Sequence, residues 1–245
     1  MTDNEINSLF ERHEKVVLQL SAGKDSAACL WLLKPYWDRL TVLWCNQGDA
    51  YIETLQYMER INALVPKFAV VYGNQPQVIK QNGFPVDVVP VDATTIGQQI
   101  SGNSEITVQS FLQCCSASFW IPMNDYVKRN GFTAVIRGQR NADALKAPLQ
   151  SGQIIDGIEY AFPIDDWTEE EVIEYLGERI PDSYKRGLKT SLDCMSCTAY
   201  VAENQGRIAD LDNIDKEVAN TIRRVHKFVF SKIMKQAELL QEITK

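Results

Sequence analysis

A short polar loop with one lysine follows the first apolar segment of the chain. Ser21-Ala22-Gly23-Lys24-Asp25-Ser26 lies between a β-branched run, 16–20, and an Ala- and Leu-rich segment, 25–33, which predicts strand, tight loop and helix. The N–H groups at a helix start, the positive end of the helix dipole and the Lys24 ammonium can then face one anion. The loop therefore predicts a phosphate site, although it lacks Walker spacing, and an ordinary turn is the alternative for so short a motif.

Four of the six cysteines form two pairs, Cys114-Cys115 and Cys194-Met195-Ser196-Cys197, and the second pair begins 79 positions after Cys115. Four thiolates are enough for a tetrahedral Zn²⁺ or for a cubane iron–sulfur cluster. Adjacent cysteines are unusual for structural zinc, whose ligands are generally about two to four residues apart. Cys115 is also expected to open a helix, whose dipole would lower the pKa of its thiol and favour the ligand form. The alternative is a set of small buried hydrophobic residues.

The elements that must position these residues alternate between strands and helices. Apolar and β-branched runs predict strands at 16–20, 40–45, 67–72, 86–91 and 133–136, and a strand pair over 154–163 around Gly157. Helical spacing predicts helices at 25–33, 51–64 and 115–129, and a capping box of Thr168 and Glu171 begins another. This alternation predicts an α/β, Rossmann-like fold with a mostly parallel sheet and helices on both faces. Arg137 and Arg140, just after a strand, then lie where such sheets bind ligands.

The last segment of the chain places apolar residues at intervals of three or four, from Val218 to Leu240, which predicts one amphipathic helix. We expect a nucleotide-binding domain with the cysteine site over residues 1–206 and a helical extension over 207–245. The sequence leaves open whether this helix packs on its own domain or forms a homodimer. The polar stretch 93–110 is expected to be a mobile loop.

The phosphate loop resembles the S-G-G-x-D-S signature of the PP-loop ATP pyrophosphatases, the superfamily of the APS and PAPS reductases, with Ala22 in place of the first glycine. The C-C pair followed by C-x-x-C-T, ending at Thr198, resembles the iron–sulfur class of these reductases. Residues 137–143 are similar to the family's G-L-R-R-x-x-S stretch, and residues 162–168 to its N-P-L-x-D-W-T block. The resemblance covers residues 16–198 in order, and the combination is far more specific than any one motif.

This resemblance implies an adenine nucleotide alpha-hydrolase-like fold that binds ATP, accompanied by Mg²⁺, or a sulfonucleotide, APS or PAPS. The nucleotide-binding residues it implies are Ser21, Gly23, Lys24, Asp25, Ser26, Asn46, Gly48 and Gly138. The candidate catalytic residues are Lys24, Asp25, Arg137 and Arg140. The candidate ligands of a [4Fe–4S] cluster are Cys114, Cys115, Cys194 and Cys197.

The sequence departs from the reductase pattern at the nucleophile. Reductases of this family use a cysteine in a C-terminal E-C-G-L-H motif, whereas this chain has no cysteine after Cys197. The basic residues that usually follow the C-C pair are replaced by Ser116-Ala117-Ser118-Phe119-Trp120. The loop, however, keeps Lys24-Asp25-Ser26 in the form typical of members that cleave ATP between the α and β phosphates.

Three functions follow from these features. The first is ATP-dependent adenylation with release of pyrophosphate, coupled to sulfur transfer. The second is APS or PAPS reduction with a relocated nucleophile, for which Cys29 and Cys45 are the spare thiols. The third is a non-catalytic nucleotide- or cluster-sensing protein, which the intact phosphate loop disfavours. The first is preferred because a thiolate bound to iron is not free to attack sulfur.

Composition limits the partners and the location. The chain has 245 residues, 45% of them hydrophobic, and a formal net charge of −7, which argues against nucleic acid, although tRNA is left open. Its N-terminal residues mix both charge signs, so no targeting signal is expected, and no stretch is long enough to span a membrane. We therefore expect a cytoplasmic protein with no membrane partner, in which cysteines serve as ligands or catalysts rather than in disulfides.

Overall fold

The computed structural model describes residues 1–102, 105–144, 146–188, 192–202 and 206–244. Its strands are β1 (Val16–Gln19), β2 (Leu40–Asn46), β3 (Phe68–Tyr72), β4 (Phe84–Val86), β5 (Val108–Ser110), β6 (Ala134–Ile136), β7 (Gln153–Ile155) and β8 (Ile158–Ala161). Its α-helices are α1 (Asp3–Arg12), α2 (Lys24–Leu32), α3 (Ile52–Leu64), α4 (Gln75–Asn82), α5 (Thr95–Ser101), α6 (Phe111–Cys115), α7 (Ile121–Arg129), α8 (Glu169–Leu176), α9 (Asp182–Lys185), α10 (Arg207–Ile214) and α11 (Lys216–Ile243).

The chain divides into two compact units. The first unit comprises Met1–Asn46, Ala50–Tyr72 and Pro122–Asp193, and the second comprises Gln47–Asp49, Gly73–Ile121 and Cys194–Lys245. The boundary expected at residue 206 falls inside the second unit, and the division into a domain and a helical extension stays a prediction. Among the described residues, no helix is both long enough and apolar enough to cross a membrane.

The first unit is built on a six-stranded sheet with the strand order β3-β2-β1-β6-β8-β7. All pairs are parallel except β7 with β8. The central strand β1 is fully buried at Val16, Val17 and Leu18, because apolar side chains on both of its faces are covered. The structure thus confirms the α/β class with a mostly parallel, Rossmann-like sheet.

Local sequence signals place several helices and turns of this unit as expected. The Thr168 hydroxyl accepts the Glu171 N–H while the Glu171 carboxylate accepts the Thr168 N–H, which is the predicted capping box at the start of α8. The strand pair around Gly157 is the antiparallel β7–β8 hairpin. Helix α1 was not predicted, although Thr2 and Glu5 form a second capping box at its start.

The second unit contains a short parallel pair, β4–β5, and the long helix α11. Two predictions for this unit were wrong. The strand expected at 86–91 ends at Val86, because its partner strand β5 ends at Ser110, which caps α6, and Val91–Ala93 forms a 3₁₀ turn. The stretch expected to be a mobile loop contains α5 and β5, while residues 103–104 lie outside the described residues.

The amphipathic C-terminal helix is confirmed as α11. Its first turn is capped by the Asp215 carboxylate, which accepts the N–H groups of Glu217 and Val218. Val225 and Val229 pack with apolar residues of the β4–β5 region in a small core. This half of α11 is therefore fixed to its own unit by the predicted apolar stripe.

Candidate functional site

The phosphate loop lies where the strand order of the first unit reverses. β1 pairs with β2 on one side and with β6 on the other. Ligands of open parallel sheets bind at the carboxyl ends of strands at such a switch point. The loop that ends in Gly23 follows β1, and Arg137-Gly138 follows β6. The structure therefore brings together two segments that the sequence singled out for phosphate.

The loop is shaped by its own hydrogen bonds. The Ser21 N–H donates to Ser26 Oγ over 3.1 Å, and Ser26 Oγ donates to the Gly23 carbonyl over 3.0 Å. Ala22 has a φ of 56°, a left-handed conformation that costs a residue with a Cβ about 1–2 kcal/mol. This conformation is the physical reason why the signature that the loop resembles has glycine at this position.

Helix α2 begins directly at the loop. Its N-cap, Gly23, has no side chain that could cap the helix, so the N–H groups of the first turn are not all satisfied locally. The helix dipole adds partial positive charge at the same place. The start of α2 is thus suited to bind a phosphate group.

Lys24 is almost completely buried at this helix start and is held by carboxylates. Its Nζ lies 3.0 Å from Asp25 Oδ2 and 3.6 Å from a Glu169 carboxylate oxygen, and 5.7 Å from the ring centre of Tyr184. Burial raises the pKa of the Asp25 carboxyl, and the charges of Lys24 and Arg140 oppose this shift. A buried ammonium that shares carboxylates in this way can turn to a phosphate oxygen when one is bound.

Sequence reasoning missed Glu169 and Tyr184. Glu169 is the first residue of α8, and the acidic first turn after Thr168 was a signal for a charged group near a helix start. Tyr184, in α9, left no comparable local signal. Burial raises the pKa of its hydroxyl far above the usual range.

The two arginines after β6 differ in their surroundings. Arg140 is buried, with Nε 3.0 Å from Asp25 Oδ1 and Nη2 2.9 Å from Asp143 Oδ1. Arg137 instead lies 5.4 Å over the ring of Tyr160, and its buried Nε has no hydrogen-bond partner among the described residues. Burial lowers the pKa of Arg137. Arg140 therefore braces Asp25, whereas Arg137 is available to an anion.

Gly138 lies against the start of α2. A Cβ at Gly138 would overlap with backbone atoms of Asp25 and Ser26, so only glycine allows this approach. We expect Gly138→Ala to lower the free energy of unfolding by about 1–3 kcal/mol, measured by urea denaturation, because the backbone must shift. It should also weaken Mg-ATP binding about tenfold or more in calorimetry, because the phosphate loop moves.

The control for this variant is Gly152→Ala. Gly152 has a φ of 83° but open space around its Cβ position, so alanine there adds backbone strain without a clash. It should lower stability while leaving the Kd for Mg-ATP unchanged. An unchanged Kd for Mg-ATP in Gly138→Ala would show that the close packing of Gly138 against the start of α2 is not part of the nucleotide site.

The two remaining predicted nucleotide-binding residues lie at the end of β2 and just after it. Asn46 is the last residue of β2 and belongs to the first unit. Gly48 belongs to the second unit and has a φ of 85°, a conformation that favours glycine whatever its function. Their contact with a nucleotide stays a prediction.

The four paired cysteines all belong to the second unit. Cys115 Sγ lies 3.4 Å from the Tyr200 hydroxyl. The Tyr200 hydroxyl also interacts electrostatically with Cys194 and Cys197, and Cys114 interacts with Cys115 and Cys197. The structure therefore brings the two pairs within electrostatic reach of one another.

The predicted position of Cys115 was wrong. Cys115 is the last residue of α6 rather than the first residue of a helix, because the Ser110 hydroxyl caps α6 four residues before Cys114. A π-helical turn, Ser116–Trp120, then leads to α7, where Pro122 lacks the N–H of a continuous helix. Burial raises the pKa of the Cys115 thiol, opposite to the expected lowering.

The C-x-x-C loop is held by two charged residues. Asp49 accepts the Met195 N–H at its carbonyl over 2.7 Å and the Ser196 N–H at its carboxylate over 2.6 Å. The buried Arg207 guanidinium donates to the carbonyls of Cys194 and Cys197. The sequence analysis predicted neither Asp49 nor Arg207 at this loop, and Asp49 is remote from it in sequence.

The donor set fits an iron–sulfur cluster by its chemistry, because four thiols in one unit are the usual ligands of a [4Fe–4S] centre. Burial raises the pKa of Cys197, and of Cys114 to about 12, so metal binding would have to release protons. Within the part of the chain that the structure describes, no three His, Cys, Asp or Glu side chains form a ready metal-binding group. The cluster and its four ligands stay a prediction.

The two spare cysteines are buried in the first unit. Cys29 is 0% exposed, and burial raises the pKa of its thiol far above the usual range. Cys45 is 3% exposed, and burial raises the pKa of its thiol to about 12. Neither thiol is an activated nucleophile at neutral pH.

Comparisons with known proteins identify the family of the chain. A family model described as "Phosphoadenosine phosphosulfate reductase domain" matches residues 15–200. No protein with curated annotation matches the sequence.

Several solved structures are similar in fold. A phosphoadenylyl-sulfate (PAPS) reductase from Candida auris superimposes with a TM-score of 0.55 at 13% identity, over 78% of this chain and 86% of that chain. An NH3-dependent NAD synthetase from Campylobacter jejuni gives a TM-score of 0.48 at 15% identity, over 94% and 91% of the two chains. The U34-tRNA thiolase NcsA from Methanococcus maripaludis, solved with its [4Fe-4S] cluster, gives 0.39 at 15% identity, over 89% and 72%.

Proposed function

Since the chain belongs to the phosphoadenosine phosphosulfate reductase domain family, we propose that it is an adenine-nucleotide-binding iron–sulfur enzyme that adenylates an acceptor and couples this to sulfur transfer. The observation that carries the proposal is the pair of spare cysteines. Both are buried with raised thiol pKa values, so the chain has a phosphate loop but no activated thiol outside the cysteine pairs.

The first unit supplies the binding step. The N–H groups at the start of α2 and the Lys24 ammonium hold the β and γ phosphates of Mg-ATP. Arg137, which has no carboxylate partner among the described residues, holds the α phosphate. Arg140 keeps Asp25 in place through the 3.0 Å contact and so fixes the position of Lys24.

The chemical step is an in-line displacement at phosphorus. An oxygen of the acceptor attacks the α-phosphorus, the bond from the α-phosphorus to the bridging oxygen breaks, and pyrophosphate leaves with its Mg²⁺. Lys24 neutralises charge on the leaving pyrophosphate, and Arg137 neutralises charge on the equatorial oxygens. Such reactions depend mainly on positioning and charge stabilisation, which these residues supply.

The second unit would hold the cluster through Cys114, Cys115, Cys194 and Cys197. When bound, a [4Fe–4S] cluster supplies sulfur-transfer or electron-transfer chemistry. Asp49 and Arg207 keep the C-x-x-C loop in one shape by satisfying its backbone groups.

The products of the reaction test the proposal. Protein purified without air and incubated with Mg-ATP should slowly form AMP and pyrophosphate, with water as acceptor, rather than ADP and phosphate. With APS or PAPS and reduced thioredoxin it should release little sulfite, because sulfite release needs a thiolate in line with sulfur. Ion-exchange chromatography measures the AMP and pyrophosphate of the first assay and the sulfite of the second.

The spare thiols provide the controls. If thiol-dependent sulfite release is robust and either Cys45→Ser or Cys29→Ser abolishes it, the protein is a reductase with a relocated nucleophile. If neither ATP cleavage nor sulfite release occurs although nucleotide binds, a sensing role replaces the enzymatic one. Sulfite release that survives both substitutions would also contradict adenylation as the main activity.

A further inference from the structure

The C-terminal end of α11 carries an apolar stripe that continues beyond the core of its unit. Val225 and Val229 of this stripe are buried, whereas Leu239 and Leu240 are each 50% exposed and Ile243 is 79% exposed. At about 100° of rotation per residue, these five positions fall within an arc of about 100° on one side of the helix. An exposed apolar stripe of this kind indicates an interaction surface.

An apolar groove lies beside the stripe, within the same unit. It has a volume of about 680 Å³ and is formed by residues 88–92, α5 and α11. Val91 and Ile100 line it and are 78% and 83% exposed, and Leu240 lines it from the helix. The ion pair of Lys232 with Asp92, at 2.5 Å, borders the groove.

The charges beside the stripe are self-complementary. Lys235 and Glu242 are seven residues apart, so they occupy the same side of the helix in successive heptads. Both are exposed, and neither forms an ion pair with a described residue. If two copies of α11 pack antiparallel about a two-fold axis near Leu239, each Lys235 faces the Glu242 of the other copy. A parallel pair would instead place like charges at equal heights.

We propose that the end of α11 and the adjoining groove form the interface of a symmetric homodimer. The exposed apolar residues of this surface are Val88, Val91, Ile100, Leu239, Leu240 and Ile243. Each of these residues exposes on the order of 100 Å² of surface. Together they supply most of the roughly 800 Å² that each partner buries in a standard interface. A second copy would therefore cover the exposed apolar surface and pair Lys235 with Glu242 across the interface. This inference does not depend on the proposed chemistry.

Sedimentation velocity of the full chain tests the dimer. The protein should sediment at low micromolar concentration with twice the 27.8 kDa mass of one chain. Lys235→Glu and Glu242→Lys should each weaken the dimer about tenfold or more, because each creates two repulsive pairs. An equimolar mixture of the two variants should form a heterodimer, since all facing charges are then opposite again.

The control is Lys227→Glu, an equal charge reversal on the same helix. Lys227 is exposed and lines a different cavity, with Asn220 and Ser231, so this variant should remain dimeric. Circular dichroism checks that each variant is folded. A monomeric wild type, single variants that dimerise normally, or a mixture without heterodimer would each overturn the proposal. A monomer that binds lipid vesicles would assign the stripe to a membrane surface instead.

Discussion

Replacing Lys24 by alanine is expected to lower the affinity for Mg-ATP ten- to a hundredfold while leaving the fold intact. The ammonium lies at the start of α2 and forms a charge-assisted contact with phosphate, worth roughly 1.5–3 kcal/mol. If Lys24 also stabilises the leaving pyrophosphate, formation of AMP and pyrophosphate should fall by about 10²–10³. Calorimetry with Mg-ATP and single-turnover assays measure the two effects separately.

The matched control is Lys34→Ala. Lys34 is an exposed lysine just after α2, where it lies 5.9 Å from the rings of Trp31 and Trp37 and touches no residue of the phosphate loop in the described contacts. It should leave both the Kd and the cleavage rate unchanged. An unchanged Kd in Lys24→Ala would mean that Ser21–Ser26 is an ordinary turn, and equal losses in both variants would indicate a general charge effect.

Replacing Cys194 by serine is expected to abolish cluster binding. Protein prepared without air should be brown and contain near-stoichiometric iron and acid-labile sulfide if the four paired cysteines hold [4Fe–4S]. Losing one of four thiolate ligands should leave little iron, because a serine hydroxyl is a much poorer ligand for the cluster. Iron, sulfide and the visible absorption spectrum measure the loss.

Cys45→Ser is the control for this experiment, since it removes a buried thiol of the first unit and should leave the iron content unchanged. Colourless wild-type protein with stoichiometric zinc would contradict the cluster and leave the four cysteines as a zinc site. Full iron retention in Cys194→Ser would show that Cys194 is not a ligand.

Local patterns predicted most elements of the first unit. The run before Ser21, the capping box at Thr168 and the hairpin around Gly157 each depend on residues within one or two turns of chain. Such signals act without the rest of the fold, so periodicity and capping chemistry are sufficient to find them.

The same reasoning confirmed α11 but failed in two other parts of the second unit, where local preferences conflict. Val86 to Val91 is rich in valine, yet the ladder includes only Phe84–Val86, because the partner strand ends at Ser110, the N-cap of α6. The helix around Cys115 begins at a Ser110 cap and is interrupted before Pro122. Burial raises the pKa of the Cys115 thiol, which reverses the expected direction.

The sequence by itself determined which chemical groups are available: the Ser21–Ser26 loop with Lys24, and two cysteine pairs. The tertiary structure decided how they are arranged. The pairing of β1 with β6 brings Gly138 against the start of α2. A contact between Arg140 and Asp25, 115 positions apart, binds one arginine, whereas Arg137 Nε has no hydrogen-bond partner among the described residues. Strand order and burial fix these contacts, and neither is encoded within the few neighbouring residues that a sequence motif contains.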